Sequence, residues 1–408
     1  MSSALDKSKI PHAIVIGLDS LNGIQTVRIL AKHQIPIIAI AKDPNHHGCR
    51  TRLCEQILYT NTASDELIQT LVDLGPQLNQ KAVIYPCSDM TVLLVSRHRQ
   101  ELEPWFYVVL PDPEVIETLM NKLSFYKFAQ QNGFPIPPTH FINSQEDAQY
   151  AAEELNFPCV LKPPMSATPE WEKNSKLKAY KLDGPDDLLD FYERSKVWAK
   201  DLIVQEWVEG TDDNLYSCNC YFNERFEPLV TFVSRKLRQW PPVTGESCLG
   251  EECRDDVVLE ETLRLFRFAH LRGLGYVEIK RSARTGEYFI IEPNIGRPTG
   301  RSPIAEAGGV ELLYTMYCDT LGLPLPQDIN QTYSGVKWID LRRDMQSALY
   351  HIQEGDLTVG EWWKTLQGKK AHALFAWNDP GPFFGDLVRA FRLYMIPEER
   401  RHRDYRNL

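Results

Sequence analysis

Residues 275–301 read GYVEIKRSARTGEYFIIEPNIGRPTGR. Two short runs, 276–282 and 287–293, are rich in β-branched and aromatic residues, and Arg284-Thr285-Gly286 between them is turn chemistry. The stretch therefore predicts a β-hairpin. A three-residue loop centred on Thr285 sets Glu278 opposite Glu292. Asn294 then lies one step further along the same face, because side chains alternate with a period of two. Like charges opposed across a sheet repel. Two readings follow: ordinary surface acids on a solvent-facing strand pair, or a cation held between them. Two carboxylates and an amide oxygen form a hard, oxygen-only ligand set. That suits Mg²⁺, which keeps waters and shares its shell with substrate phosphates.

The bulk properties frame this hairpin. At 408 residues the chain predicts two or three domains. It is 43% hydrophobic and 25% charged, as soluble globular proteins are. A net charge of −10 gives no bulk attraction to nucleic acid, so none is expected as a partner. The nine cysteines include no paired CxxC at zinc spacing and read as reduced thiols of a cytoplasmic protein. There is no N-terminal apolar h-region and no apolar run of about 18 residues, so neither secretion nor a membrane span is expected.

Residues 12–17 (HAIVIG), helical periodicity over 24–33 and a second apolar run at 35–40 make a βαβ unit and hence a parallel sheet. Gly17 and Gly23 leave room for a phosphate or substrate at the helix start, but GLDSLNG is not the GxGxxG of a dinucleotide site. The unit continues with a strand at 82–85, a helix at 90–102 and a strand at 105–110, and a helix over 115–132 follows. From Gly133 the order of strands and helices predicts an α+β region. It ends in helices at 257–271 and 305–321 on either side of the hairpin. The expected layout is a Rossmann-like α/β domain over 10–115, an α+β domain over 116–325 and a small α/β C-terminal extension over 326–408.

Three further groups carry chemistry. Lys122 and Lys162 stand at element boundaries, and two ammonium groups converging on a metal suit a polyphosphate. The segment 205–210 (QEWVEG), with Asp212 and Asp213 after it, offers amide and backbone groups for a purine edge. Trp207 and Val208 can frame the base and an acid can meet the ribose. Arg235-Lys236-x-Arg238 and Arg297-x3-Arg301 place five cations in two short stretches of an acidic protein. Guanidinium forks recognise carboxylate and phosphate. Asp89, at the carboxyl end of a strand, either holds a substrate amine or caps the next helix. A half-buried strand and solvated basic faces are the bland alternatives.

Lys162 closing PCVLK, then VQEWVEG, then the Glu278 strand, then EPNIGR, in that order, resembles the ATP-grasp superfamily, with the N-terminal unit similar to its pre-ATP-grasp domain. GTDDNLYSCNCYF, SRKLRQWPP and EPNIGRPTG look most like carboxylate–amine ligases related to D-aspartate ligase and to the ATP-grasp domains of carbamoyl phosphate synthase. The resemblance implies that Glu278, Glu292 and Asn294 hold Mg²⁺ (Mn²⁺ being the alternative ion) on ATP. Lys122 and Lys162 would contact phosphates, Gln205, Glu206, Trp207 and Val208 the adenine, and Asp212 or Asp213 the ribose. Arg297 and Arg235 would stabilise the transferring phosphoryl group, while Lys236, Arg238, Arg301 and Asp89 would bind substrate. The implied reaction activates a carboxylate as an acyl phosphate and joins it to an amine, releasing ADP and phosphate. Carboxylation like that of biotin carboxylase, or nucleotide binding without turnover, are the alternatives, and a homodimer is the oligomer considered. One departure is plain: residues 163–177 contain no glycine, so Ser166, Ala167 and Thr168 are expected to cover the phosphates. The C-terminal FAWNDPGPFFGDLVRAF and the basic tail 399–408 lie outside the resemblance and are read as a packed helix with a solvated end.

Overall fold

The computed structural model describes residues 10–164, 169–175, 177, 179–242, 245–327 and 329–394. The expectations for Ser166, Ala167, Thr168 and the tail fall outside these residues. The first unit runs β1 (Ala13–Ile16), α1 (Leu21–Lys32), β2 (Ile37–Ala41), β3 (Gln56–Tyr59), α2 (Glu66–Leu74), β4 (Ala82–Pro86), α3 (Asp89–Arg97), α4 (Arg99–Leu102) and β5 (Phe106–Tyr107). Its sheet is parallel, in the order β3-β2-β1-β4-β5. Helix α1 starts earlier than apolar periodicity suggests, because the Ser20 side chain accepts from the Gly23 backbone N–H and caps it. Gly23 serves a close approach: a Cβ there would stand 2.1 Å from the Gly17 carbonyl oxygen. Packing of α1 on its own turn, rather than space for a ligand, accounts for that glycine. The expected strand at 105–110 pairs only over β5, and β3 and α2 carry patterns that sequence reading missed.

Two helices, α5 (Pro113–Met120) and α6 (Lys122–Gln131), replace the single one expected over 115–132. Asn121 is extended, and its side chain accepts from the Ser124 backbone N–H, which starts a new helix. Lys122 thereby becomes the first residue of α6, with Tyr126 one turn later on the same face. Next come β6 (Thr139–Ile142), α7 (Gln145–Glu154), β7 (Cys159–Lys162), α8 (Pro169–Asn174), β8 (Tyr180–Leu182), α9 (Pro185–Ser195) and β9 (Leu202–Glu206). Their strands form an antiparallel sheet in the order β6-β9-β7-β8.

The third part holds β10 (Leu215–Phe222), β11 (Pro228–Trp240), β12 (Glu246–Glu252), α10 (Asp256–Phe268), β13 (Gly273–Arg281) and β14 (Tyr288–Ile295). Helices α11 (Ser302–Ala307) and α12 (Leu312–Thr320) follow, split at Gly308-Gly309, where one helix over 305–321 was expected. Then come β15 (Lys337–Ile339), α13 (Leu341–Glu354), α14 (Val359–Thr365), β16 (Lys370–His372) and α15 (Gly381–Tyr394). One seven-stranded sheet runs β14-β13-β10-β11-β12-β15-β16, so the segment after 326 adds strands to the sheet that carries the hairpin.

That sheet has two unlike faces. On one, Cys218, Val233, Val277 and Ile279 are buried in a core with Leu265 and Phe266 of α10. On the other, Tyr221, Phe232 and Leu274 share a core with Ile304, Leu313 and Met316. Burial of each such side chain stabilises the fold by about 1.5–3 kcal/mol. Further along the same strands the apolar residues give way to Ser217, Ser234 and Glu278. The core thus anchors one half of this face and leaves the other half polar. Among the described residues no helix is long and apolar enough to cross a membrane.

Candidate functional site

On the polar half of that face Glu278 pairs with Glu292, and Tyr276 with Asn294. The register is not uniform. Beyond Glu278, Ile279 pairs with Ile290, so Ile291 is an extra residue and forms a β-bulge. The turn-side pairs are therefore offset by one from the simple three-residue loop. The bulge docks the preceding segment: Tyr126 Oη donates to the Ile291 carbonyl at 2.5 Å, and the Ile290 N–H donates to the Pro135 carbonyl at 2.6 Å.

Each carboxylate faces a cation. Lys122 Nζ lies 2.7 Å from Glu292 Oε2, and Arg301 Nη2 lies 3.5 Å from Glu278 Oε1. Lys122 holds the Glu292 carboxyl well below the usual range, at about 2, and Glu292 in turn raises Lys122. Asn294 Nδ2 stands 3.5 Å from Glu292 Oε1.

Lys162 ends β7 with only 9% of its surface exposed. Its Nζ donates to Tyr126 Oη at 2.6 Å and lies 4.6 Å from the centre of that ring. Burial pushes Lys162 down to about 7, assisted by Lys122 and opposed by Glu292. The Lys122 N–H donates to the Pro164 carbonyl at 3.3 Å, tying the segment that leaves β7 to the start of α6. Tyr126 thus links Lys162 to the bulge, one helical turn from Lys122. It escaped sequence reading, although its spacing of four from Lys122 on one helix was the available signal.

Arg297 reaches across to the first unit. Its Nη2 donates to Asn294 Oδ1 at 2.6 Å, its Nη1 to Tyr276 Oη at 3.1 Å, and its Nε to the Asp89 carboxylate. Ser88, not Asp89, caps α3, which leaves Asp89 to pair with Arg297. Gly296, at φ +73°, lets the chain turn over Leu110 and Val92, either of which a Cβ would strike. Arg301 is 6% exposed, and its Nη1 is buried with no hydrogen-bond partner among the described residues.

A second group continues along the strands. Lys280 lies two residues beyond Glu278 on the same face, and its Nζ is 5.0 Å from the centre of the Trp207 ring. Lys181 Nζ approaches the same ring at 5.9 Å, so Trp207 links the antiparallel sheet to the large one. Asp212 accepts from the Gln239 N–H at 3.0 Å and from Gln239 Nε2 at 2.7 Å. Burial raises its carboxyl against the pull of Lys236. Burial also lowers Lys280, which Asp212 partly offsets. Lys236 Nζ donates to Gln239 Oε1 at 3.2 Å. Gln205 is buried and bonds Thr139 Oγ1 at 2.7 Å. The Glu206 carboxylate turns away to the Asn156 N–H and side chain at 2.9 and 2.7 Å, and its own N–H donates to the Pro138 carbonyl at 3.0 Å. Val208 is half-buried and Asp213 exposed, the latter accepting from Thr211 Oγ1 at 2.5 Å.

Two expected residues are not brought here. Arg235 pairs across the sheet with Tyr216 and Glu251, whereas Glu278 aligns with Ser217 and Ser234. Neighbours one residue apart on a strand face opposite ways, so Arg235 points from the other face, where Glu251 lies 3.2 Å away. Arg238 sits in an irregular stretch of β11 and forks onto Asp344 of α13 at 2.8 and 3.1 Å. It is a buried structural pair rather than a free substrate contact.

No family model matches the chain. It is 24% identical over 249 residues to a D-aspartate ligase of Enterococcus faecium, a match covering 58% of each chain. The chain thus spans less than two thirds of that relative's length. In three dimensions it is similar to N5-carboxyaminoimidazole synthetase from Staphylococcus aureus, with TM-score 0.61 and 12% identity over 79% of this chain and 80% of that one. It is also similar to the biotin carboxylase domain of Hydrogenobacter thermophilus 2-oxoglutarate carboxylase, solved with MgADP and bicarbonate. Here the TM-score is 0.58, with 14% identity over 78% of this chain and 72% of that one.

Proposed function

We propose that this chain, whose fold is that of the ATP-grasp superfamily, is an ATP-dependent, ADP-forming ligase. It would activate a carboxylate as an acyl phosphate and join it to an amine. The observation that supports this most is the meeting of Lys122, Lys162, Glu278, Glu292 and Asn294 from one helix and two sheets.

The residues fit Mg²⁺ with a polyphosphate. Both carboxylates stand on one face with an amide beside them, and Glu292 is fully ionised near neutral pH. Arg301 keeps a buried donor that no group among the described residues fills. Glu278, Glu292 and Asn294 would hold the ion, which supplies neutralisation of phosphate charge. Lys122 and Arg301, now the counter-ions of the two glutamates, would turn to anionic oxygens once that charge is taken up. Lys162 adds an ammonium already desolvated, and so stronger toward phosphate than a surface lysine. Trp207 and Val208, with the backbone of 205–208, would frame the base, and Asp212 or Asp213 would meet the ribose. Arg297, held by Asp89, Tyr276 and Asn294, would face the transferring phosphoryl group. Asp89, beside Arg297, and Lys236, beside Gln239, would bind the substrates. In the reaction a carboxylate oxygen attacks the γ-phosphorus and ADP leaves, then the amine attacks the acyl carbon and phosphate leaves. Such chemistry asks for position and charge stabilisation and little covalent help.

The test is ADP release by the full chain with Mg²⁺-ATP and a panel of acid–amine pairs. D-aspartate belongs in the panel because a relative carries that name. ADP release that needs both an acid and an amine supports the ligase. Release with bicarbonate alone as the acid moves the function to carboxylation. ATP bound without turnover under any pair leaves a nucleotide-binding module. Glu292→Gln is the control, and normal turnover by that variant would remove the metal assignment.

A further inference from the structure

The split between α11 and α12 creates a second cluster, separate from the nucleotide face. His33 caps the carboxyl end of α1, Glu306 lies on α11 and Glu311 precedes α12. Gly309, at φ +87°, turns the chain between the two acids. One ligand atom from each of the three residues lies within 4.8 Å of the others. His33 Nε2 is 3.4 Å from Glu311 Oε1, and its ring is stacked on Tyr314 with centroids 3.7 Å apart and planes 7° from parallel. The stack fixes the direction of the imidazole.

What marks this cluster is unfilled bonding capacity. The Glu306 side chain is only 9% exposed, and both its oxygens are buried with no hydrogen-bond partner among the described residues. His33 Nε2 is likewise buried without one. A buried carboxylate without close partners is costly, and burial pushes Glu306 up to about 8. The nearest cation is Lys32, 3.7 Å from each carboxylate, on a side chain that is 60% exposed and can swing into solvent.

We infer that His33, Glu306 and Glu311 form a second metal site, which takes Zn²⁺ through one imidazole nitrogen and two carboxylates. Mixed nitrogen and oxygen donors with one imidazole suit zinc better than the all-oxygen set on the hairpin. Water completes the four-coordinate shell, and Lys32 moves out. The ion ties the end of α1 to α11, the helix that begins directly after Arg301.

The experiment uses the full chain, stripped with a chelator and then loaded with Zn²⁺ or Co²⁺. Expected are a single tightly held Zn²⁺ per chain and Co²⁺ d–d bands without thiolate charge-transfer bands. His33→Ala and Glu311→Gln should weaken Zn²⁺ by more than roughly 100-fold, beyond the usual cost of losing an outer-shell partner, while Glu292→Gln keeps it. Glu306→Gln removes a buried carboxyl whose one nearby cation among the described residues, Lys32, is 60% exposed, and so folds at least as well as the parent. Its Tm should not respond to Zn²⁺, whereas that of the parent should rise. Failure of the parent to retain Zn²⁺, thiolate bands with Co²⁺, or unchanged affinity in the His33 and Glu311 variants would overturn the site.

Discussion

Arg238 and Arg301 are buried to nearly the same extent, 5% and 6% exposed, and each faces a carboxylate. Arg238 forks onto Asp344 at 2.8 and 3.1 Å, and Asp344 also accepts from Trp362 Nε1 at 2.9 Å. That pair is closed, and it fastens α13 and α14 to β11. Arg301 has a long contact of 3.5 Å to Glu278 and a buried Nη1 with no hydrogen-bond partner among the described residues. Its fork is partly empty. In this pair burial is the same and hydrogen-bond saturation is what differs: Arg238 forks onto its carboxylate, and Arg301 keeps a donor to offer.

The contrast can be broken most directly at Arg238. Arg238→Met strands the Asp344 carboxylate in the interior and should cost about 3–5 kcal/mol in denaturant titration. ADP affinity per folded molecule should stay as it was. Arg301→Met should do the reverse, lowering kcat/KM about 100-fold, in line with loss of a preorganised donor, with a much smaller change in midpoint. Equal stability losses in the two variants would dissolve the distinction.

Lys162 sharpens the contrast through pH. Its folded-state value is about 7 against an ordinary 10.5, so the ammonium is present below pH 7 and lost above it. ADP binding, measured calorimetrically, should weaken roughly tenfold as pH rises through 7, about 1.4 kcal/mol, and Lys162→Met should lack that step. For folding the sign is opposite. Between about 7 and 10.5 the unfolded chain holds a proton that the folded one does not, so the stability of the nucleotide-free protein rises with pH across that window. The smallest effect belongs to Arg235→Gln. Its partly exposed pair with Glu251 is worth about 0.2–1 kcal/mol, and ADP release should not change, because the residue faces away from Glu278. A large loss of turnover there would mean that the two sheet faces had been assigned the wrong way round.

These differences explain what was legible in advance. The opposed glutamates, Asn294 and Lys162 rest on local rules, namely period-two alternation and the ends of strands. The bulge at Ile291 is not local, because it is stabilised by Tyr126, 165 residues away. The face of Arg235 depends on its register against two neighbouring strands, and β12 has no alternating pattern to announce it. Arg238 looked like a ligand contact because its partner lies 106 residues downstream. The helix breaks were a different failure. Asn121 and Gly308-Gly309 are local stop signals, and each ends a helix inside a span expected to be continuous.

Strands β15 and β16 carry a consequence for the rest of the chain. β15 hydrogen-bonds along β12 from Leu249 to Glu251, and β16 lines up beside it in parallel. A chain ended before residue 337 would leave β12 as a bare rim, its N–H and C=O groups open to any other strand. The same cut would take Asp344 from Arg238. Such a piece would recruit copies of itself edge to edge. The last strands therefore act as the sheet's guard against self-association, and solubility, rather than chemistry, is the first property their loss would destroy.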